Sequence, residues 1–167
     1  MLDQLLSLHR VPLFRELTFD QLQMLSPLLE TREYLAGELI VQEGDEGHEL
    51  FVVLAGHVRI VRRSAGQQVL LAELGPQDYF GEMALLAERP RAATAIAATD
   101  CQLAVLTKEH LFAVLSERPE VSLAVIQTLS NRLAIANERL ANREGSSARR
   151  PATYPDYGGK TDAGSAC

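Results

Sequence analysis

Residues 79–94 read Tyr79-Phe80-Gly81-Glu82-Met83-Ala84-Leu85-Leu86-Ala87-Glu88-Arg89-Pro90-Arg91-Ala92-Ala93-Thr94. Gly81 permits a backbone geometry, or a close approach of a ligand, that a Cβ would block. Glu82 offers two acceptor oxygens that suit a ribose hydroxyl, and Arg91 carries a planar fork of donors that can bind phosphate through two hydrogen bonds. Residues 84–86 can begin a short helix, whose free N–H groups favour an anion. The stretch therefore predicts a loop that holds a small ligand with both a sugar and a phosphate.

The same stretch resembles the phosphate-binding cassette of the cyclic nucleotide-binding domain family, which includes the regulatory subunits of protein kinase A and the bacterial catabolite activator proteins. The match to the family pattern holds at Phe80, Gly81, Glu82, Ala84, Leu85, Arg91, Ala92, Ala93 and Thr94. Upstream, residues 37–38, 43–45 and 50–58 resemble the early strands of the family. The resemblance covers about residues 10–143.

The resemblance implies a role for each matching residue. Glu82 would accept the ribose 2′-hydroxyl, Arg91 would pair with the cyclic phosphate, and backbone amides near Ala84, Leu85 and Ala92 would complete a phosphate cradle. In the family a threonine directly after the arginine favours cGMP; Ala92 stands there, so cAMP is the predicted ligand and cGMP the less favoured one. The predicted ligand-binding residues are Phe80, Gly81, Glu82, Met83, Ala84, Leu85, Arg91, Ala92, Ala93 and Asn137, and we expect no catalytic residue, metal ligand or cofactor.

Ordinary structural roles are the alternatives to a ligand site. An arginine in a loop is commonly a solvated charge or a surface ion pair that contributes little, and Glu82 can simply cap the turn that follows it. Both residues at this spacing favour the ligand site. A domain that retains the cassette without responding to nucleotide, and acts as a structural dimerisation scaffold, remains the alternative function.

Composition limits the class of protein. The 167 residues, 47% hydrophobic and 23% charged, suit one globular domain with additions. The formal net charge of −6 and the lack of a Lys/Arg cluster in the predicted folded part argue against nucleic-acid binding as the main task. The first residues lack the basic segment of a signal peptide, no stretch approaches the roughly 18 apolar residues of a membrane span, and Cys101 and Cys167 fit no disulfide or metal spacing. These features predict a cytoplasmic protein.

The pattern of the chain predicts an α+β fold. Residues 2–29 are predicted helical, with a capping box at Thr18 opening a second helix that runs through Leu28. Residues 31–107 alternate short β-rich runs with turns, which predicts a jelly-roll-like antiparallel β-roll of about eight strands, with Val58, Ile60 and residues 69–71 as candidate core. Cys101 is predicted to be a small strand residue. Helices are expected over 108–116 and from residue 118.

Residues 1–145 are predicted to form one cyclic nucleotide-binding domain with its flanking helices. Residues 146–167 are rich in Gly, Pro, Ser and Ala, so we expect a disordered tail there. Arg143 and Gly145 are predicted to end the long helix.

The long C-terminal helix carries an apolar stripe with alternating spacings of three and four, typical of a helix seam. Its residues are Ile126, Leu129, Leu133, Ala136 and Leu140. The stripe either lies on the β-roll of its own chain or forms a parallel homodimer, which its length favours. Asn137 is either an ordinary surface residue or a hydrogen-bond partner of the adenine edge.

Other function classes have weaker support. The activator family carries a helix-turn-helix after its central helix, and the segment after residue 145 is too short for one, so we expect no direct DNA binding and an unknown downstream protein as the target. A cupin-like metal site needs a paired His-x-His, and only His48 stands in such a context; the nearby Glu43, Asp45, Glu46 and Glu49 are interpreted as a solvated turn. The chain is therefore predicted to be a stand-alone, allosteric signalling protein that binds cAMP and is not an enzyme.

Overall fold

Helices begin the fold. The computed structural model describes residues 2–146, with side chains through residue 144. Helices α1 (Leu2–Arg10) and α2 (Phe19–Leu25) are each followed by a 3-10 turn, at Pro12–Phe14 and Ser26–Leu28. The predicted capping box is present: Thr18 Oγ1 accepts from Gln21 N at 3.3 Å, and Gln21 Oε1 accepts from Thr18 N at 2.9 Å. The α-helix ends at Leu25, three residues earlier than predicted, because Pro27 has no N–H to continue the ladder.

Eight strands form two four-stranded sheets, which confirms the predicted antiparallel roll. The strands are β1 (Glu30–Tyr34), β2 (Leu39–Val41), β3 (Glu49–Ala55), β4 (Val58–Ser64), β5 (Gln67–Leu74), β6 (Tyr79–Phe80), β7 (Thr94–Ala97) and β8 (Cys101–Thr107). The first sheet has the order β1-β8-β3-β6 and the second β2-β7-β4-β5. All pairs are antiparallel. The cassette lies between β6 of the first sheet and β7 of the second, so it bridges the two layers.

Strand β3 separates two hydrophobic clusters. Successive side chains of a strand point to opposite faces. Leu50 and Val52 pack with the N-terminal helices, whereas Phe51 and Val53 pack between the sheets. Burial on both faces explains the uninterrupted apolar run at residues 50–54. Cys101, as predicted, is a buried strand residue.

The core prediction fails at the β4–β5 hairpin. Val58 is buried, but Val69, Leu70 and Leu71 are exposed. Strand β5 is the edge strand of its sheet and pairs with β4 alone, and its residues 67–71 are exposed on both faces. The apolar run at residues 69–71 therefore does not mark the core, because no other element of the described residues covers this part of the hairpin.

Helices α3 (Lys108–Glu117) and α4 (Pro119–Ser146) follow the roll. The chain divides into two compact units at Leu129 and Ser130, within α4. In the first unit α4 buries Val121, Ala124, Val125 and Thr128, while Ile126 is 57% exposed and Leu129 37%. The interpretation that the predicted stripe lies on its own roll is therefore wrong for these two residues, because a neighbouring face of the helix makes that contact.

The end of α4 differs slightly from the prediction. The helix continues through Ser146, so neither Arg143 nor Gly145 ends it. The predicted disordered tail, apart from this first residue, lies outside the described residues. None of the helices in residues 2–146 is both long and apolar enough to cross a bilayer.

Candidate functional site

A cavity of about 460 Å³ lies between the second sheet and the cassette. Val41, Ile60 and Ala95, from three strands of that sheet, form an apolar surface. Residues 79–84 and 89–93 form the rest of the lining. Eight of the ten predicted site residues line this one cavity: Phe80, Gly81, Glu82, Met83, Ala84, Arg91, Ala92 and Ala93.

The cassette opens with a tight turn. Gly81 has φ +85°, a left-handed conformation that suits glycine, and the 3-10 turn Glu82–Leu85 follows it. A Cβ on Gly81 would lie 2.5 Å from the Glu49 carbonyl oxygen and 2.8 Å from Arg91 Nη1. Glycine is thus required here both for conformation and for space.

Leu85 and Ala84 hold this turn in place. The Leu85 side chain is fully buried in the cluster beneath the N-terminal helices, so it anchors the turn and does not line the cavity. The amide of Ala84 donates to the Gly81 carbonyl oxygen at 3.1 Å. In this structure the Ala84 amide closes the turn, and its part in a phosphate cradle stays a prediction.

Arg91 is the central residue of the site. It is only 8% exposed, and its guanidinium lies against Gly47 and Gly81; a Cβ on Gly47 would come within 2.7 Å of Arg91 Nη2. The guanidinium carbon lies 5.7 Å from the centroid of Phe51, which is itself stacked on Phe80 at 4.8 Å. The site thus buries a cation between glycines and an aromatic pair.

The buried guanidinium is incompletely bonded. Nη1 donates to the Glu49 carbonyl oxygen at 3.2 Å, but the buried Nε has no hydrogen-bond partner among the described residues. Burial lowers the pKa of Arg91, and the charge of Glu49 acts in the opposite direction. A buried donor without an acceptor is costly, so an anion in the cavity would satisfy a need that the fold creates.

Main-chain bonds fix the position of Arg91. Its N–H donates to the Asp45 carbonyl oxygen at 2.8 Å, and its carbonyl accepts from Gly44 N at 2.9 Å. Three residues later, Thr94 Oγ1 accepts from Glu43 N at 2.9 Å. The segment that carries the arginine is therefore tied to the 43–45 loop on both sides of the guanidinium.

The other predicted residues differ in environment. Glu82 is half-buried at the wall of the cavity, Met83 and Ala92 are exposed, and Ala93 is half-buried. Asn137 is exposed on α4 in the second unit, and its contact with a base stays a prediction.

Sequence reasoning missed three residues around the guanidinium: Gly47, Glu49 and Phe51. The interpretation of Glu49 as part of a solvated turn is wrong: Glu49 Oε1 accepts from Arg32 Nη2 at 3.0 Å, and its carbonyl oxygen accepts from Arg91 Nη1. The signal in the sequence was that these three residues lie just before or within the apolar run of β3. Which side of β3 packs against Arg91 depends on the fold. Within residues 2–146, no cluster of three or more His, Cys, Asp or Glu is placed to hold a metal.

Comparison with known proteins points to one family. The family model described as the cyclic nucleotide-binding domain matches residues 31–118. The N-terminal domain of a transcriptional regulator from Streptomyces coelicolor is 34% identical, with a TM-score of 0.74, over 80% of this chain and 94% of that one.

Two curated relatives agree with this match. The cyclic AMP receptor protein of Thermus thermophilus is 36% identical over 130 residues, which are 77% of this chain and 60% of that protein. A cAMP-dependent protein kinase regulatory subunit of Mycosarcoma maydis is 39% identical over 100 residues, 58% of this chain and 19% of that protein. The chain thus spans less than two thirds of either relative. With the antiparallel roll and the cassette geometry, these matches show that the chain belongs to the cyclic nucleotide-binding domain family.

Proposed function

We propose that the chain is a regulatory cyclic nucleotide sensor that binds cAMP in preference to cGMP and acts through a partner protein without catalysing a reaction. The observation that carries this proposal is Arg91, a buried cation that lines a 460 Å³ cavity and whose Nε has no acceptor among the described residues. The similarity of the chain to a cyclic AMP receptor protein and to a cAMP-dependent protein kinase regulatory subunit supports the choice of ligand.

The cavity offers a complementary group for each part of the nucleotide. Arg91 Nε and its neighbouring amino group pair with the cyclic phosphate as a fork. Glu82, nine residues away in the chain but lining the same cavity, accepts the ribose 2′-hydroxyl. The apolar surface of Val41, Ile60 and Ala95 can cover the flat face of the ligand. Ligand binding can shift the protein only by its differential affinity for two conformations, so the output requires a coupled element such as α4.

Isothermal titration with cAMP and cGMP tests the proposal. We expect saturation near one ligand per chain, with tighter binding of cAMP. Arg91→Lys retains the charge but loses the fork, and charged hydrogen bonds contribute roughly 1.5–3 kcal/mol each, so affinity should fall at least about tenfold. Arg59→Lys is the matched control, since Arg59 is exposed and precedes the cavity residue Ile60 on β4, and successive strand side chains point to opposite faces.

Two results would contradict the sensor. One is an affinity of Arg91→Lys equal to that of Arg59→Lys. The other is the absence of heat and of thermal stabilisation with either nucleotide, which would favour the dimerisation scaffold.

The same proposal includes a homodimer through the α4 stripe. Beyond Ile126 and Leu129, the second unit exposes Leu133 at 63% and Leu140 at 57%, and Ala136 is also exposed. Apolar side chains repeated at this spacing are stabilised by a partner helix. Leu133→Glu should shift the molar mass measured by light scattering toward the monomer. Gln127→Glu, at an exposed polar position of α4, should not; equal masses for both variants would argue against this interface.

A further inference from the structure

A second cavity, of about 320 Å³, shares Arg89 and Pro90 with the first. Its other lining residues are Glu46, His48 and Glu88. His48 is half-buried and lies in the loop before β3. The family resemblance gave this histidine no role, and the nucleotide proposal does not use it.

His48 contacts the cassette directly. Its ring Nδ1 lies 3.4 Å from the Ala84 carbonyl oxygen, within the turn that Gly81 opens. The preceding residue, Gly47, packs against the Arg91 guanidinium. The main-chain carbonyl of His48 accepts from Lys108 N at 2.8 Å, where α3 begins. One residue therefore joins the cassette turn, the arginine loop and the first helix after the roll.

Charged groups of both signs face the imidazole. Glu46 comes from its own loop, and Glu88 and Arg89 come from the segment after the cassette turn. Lys108 at the start of α3 lies 3.6 Å from Glu88. The groups around the ring are therefore two carboxylates and two cations.

We propose that His48 is a positioning residue that couples proton uptake to nucleotide binding at the Arg91 site. This inference rests on the proposed function. Histidine is the side chain that ordinarily changes charge between about pH 5 and 8. The doubly protonated ring always presents N–H at Nδ1 and donates a charge-assisted bond to Ala84, whereas the neutral ring carries one proton that either nitrogen can hold.

The sign of the effect follows from charge. A cation at His48 adds positive charge to the loop that packs on Arg91, and positive charge near the site attracts an anionic ligand. The nucleotide complex therefore holds the proton more tightly than the free protein. Affinity is highest below the titration of the imidazole and is lost as the pH rises through it.

Titrations with cAMP on either side of the imidazole range test the coupling. Because the positive charge added at His48 attracts the anionic phosphate, we expect about fivefold tighter binding near pH 5.5 than near pH 8. His48→Asn keeps a donor near the Nδ1 position but does not titrate, so its affinity should be the same at both pH values. His57→Asn, at an exposed histidine, should keep the dependence of the natural chain.

NMR of the unliganded protein separates this inference from the nucleotide proposal. The Leu85 amide shares its peptide group with the Ala84 carbonyl, so its resonance should titrate together with the His48 ring and become flat in His48→Asn. Binding of cAMP with the same affinity at both pH values overturns the coupling and leaves the sensor intact. If the Leu85 resonance titrates but cAMP binds at neither pH, both the sensor and the coupling are contradicted. The contact between His48 and the Ala84 carbonyl oxygen would still be supported.

Discussion

Two arginines near Glu49 occupy opposite kinds of environment. Arg32, on β1, donates to carboxylate oxygens of Glu30 at 2.9 Å and Glu49 at 3.0 Å, and its side chain is about one third exposed. Arg91 is nearly fully buried, and the hydrogen bond that its side chain makes within the described residues goes to the carbonyl oxygen of Glu49. The hydrogen bond to Glu49 raises the pKa of Arg32, whereas burial lowers the pKa of Arg91.

The difference teaches which charge serves the fold and which serves a ligand. Glu49 gives its carboxylate hydrogen bond to the outer arginine, so among the described residues the inner arginine has the carbonyl oxygen of Glu49 and only the more distant charge of its carboxylate. Removing one partner from a buried charge pair is costly because it leaves a buried charge without compensation, and burial of a cation without an ion-pair partner carries the same kind of cost. Burial of Arg91 therefore carries a cost that the Glu49 carbonyl and the Phe51 ring offset in part, and a bound anion would offset it further.

The largest expected effect is on nucleotide affinity. Arg91→Met removes the phosphate fork, and with two charged hydrogen bonds lost, affinity for cAMP should fall by about a hundredfold or more. Arg32→Met should leave the affinity for cAMP almost unchanged, because Arg32 binds the carboxylates of Glu30 and Glu49, which have no proposed role in ligand binding. Calorimetric titration of both variants measures the contrast, and similar losses in the two would remove the distinction between them.

Glycine substitutions sharpen the description of the Arg91 surroundings. Gly81→Ala combines a positive φ with contacts to Glu49 and Arg91, so it should lower the free energy of unfolding by roughly 2–3 kcal/mol. Gly66→Ala has a similar φ of +78° but open space around it, so about 1 kcal/mol is expected. Gly47 has no positive φ, so Gly47→Ala tests the effect of the added methyl group alone, which should displace the Arg91 guanidinium. Urea unfolding gives the three values; equal losses at Gly81 and Gly66 would show that the Arg91 contacts do not matter.

A smaller effect is expected at the residue after the arginine. Ala92→Thr adds a hydroxyl at the exposed rim of the cavity, and a net hydrogen bond of about 1 kcal/mol should raise the cGMP-to-cAMP affinity ratio several-fold. Ala92→Val has nearly the same shape without the hydroxyl and should leave the ratio unchanged. Competition of both nucleotides against a fluorescent cAMP analogue measures the ratio, and an identical ratio in the two variants would refute the selectivity argument.

The smallest effects are expected on the free energy of unfolding without ligand, where substitutions of the two arginines should change stability in opposite directions. Arg32→Met removes a partly exposed ion pair and should lower the free energy of unfolding by at most about 1 kcal/mol. Arg91→Met replaces an incompletely bonded buried cation by an apolar side chain, so stability should stay level or rise by about 1 kcal/mol. Urea unfolding without nucleotide distinguishes the two, and a loss at Arg91 larger than at Arg32 would show that Arg91 is mainly structural.

Local chemistry was predictable where neighbours in the chain supply it. The capping box at Thr18 and the strands that surround the cassette depend on residues within a few positions, so the sequence predicted them. The short helix expected to begin at residues 84–86 is instead a 3-10 turn over Glu82–Leu85. Burial of residues 69–71 was predicted wrongly, because whether an apolar strand is covered depends on its place in the sheet, and β5 lies at an edge.

The sequence by itself determined the family, the antiparallel roll and the pairing of a carboxylate with an arginine in one cassette. Only the tertiary structure decided that Arg91 is buried against Gly47 and Phe51, that Glu49 turns its carboxylate to Arg32, and that Leu85 anchors the turn in the core. The reason is physical: residue types and short spacings define which groups are available, whereas burial and missing partners arise when strands distant in sequence pack together.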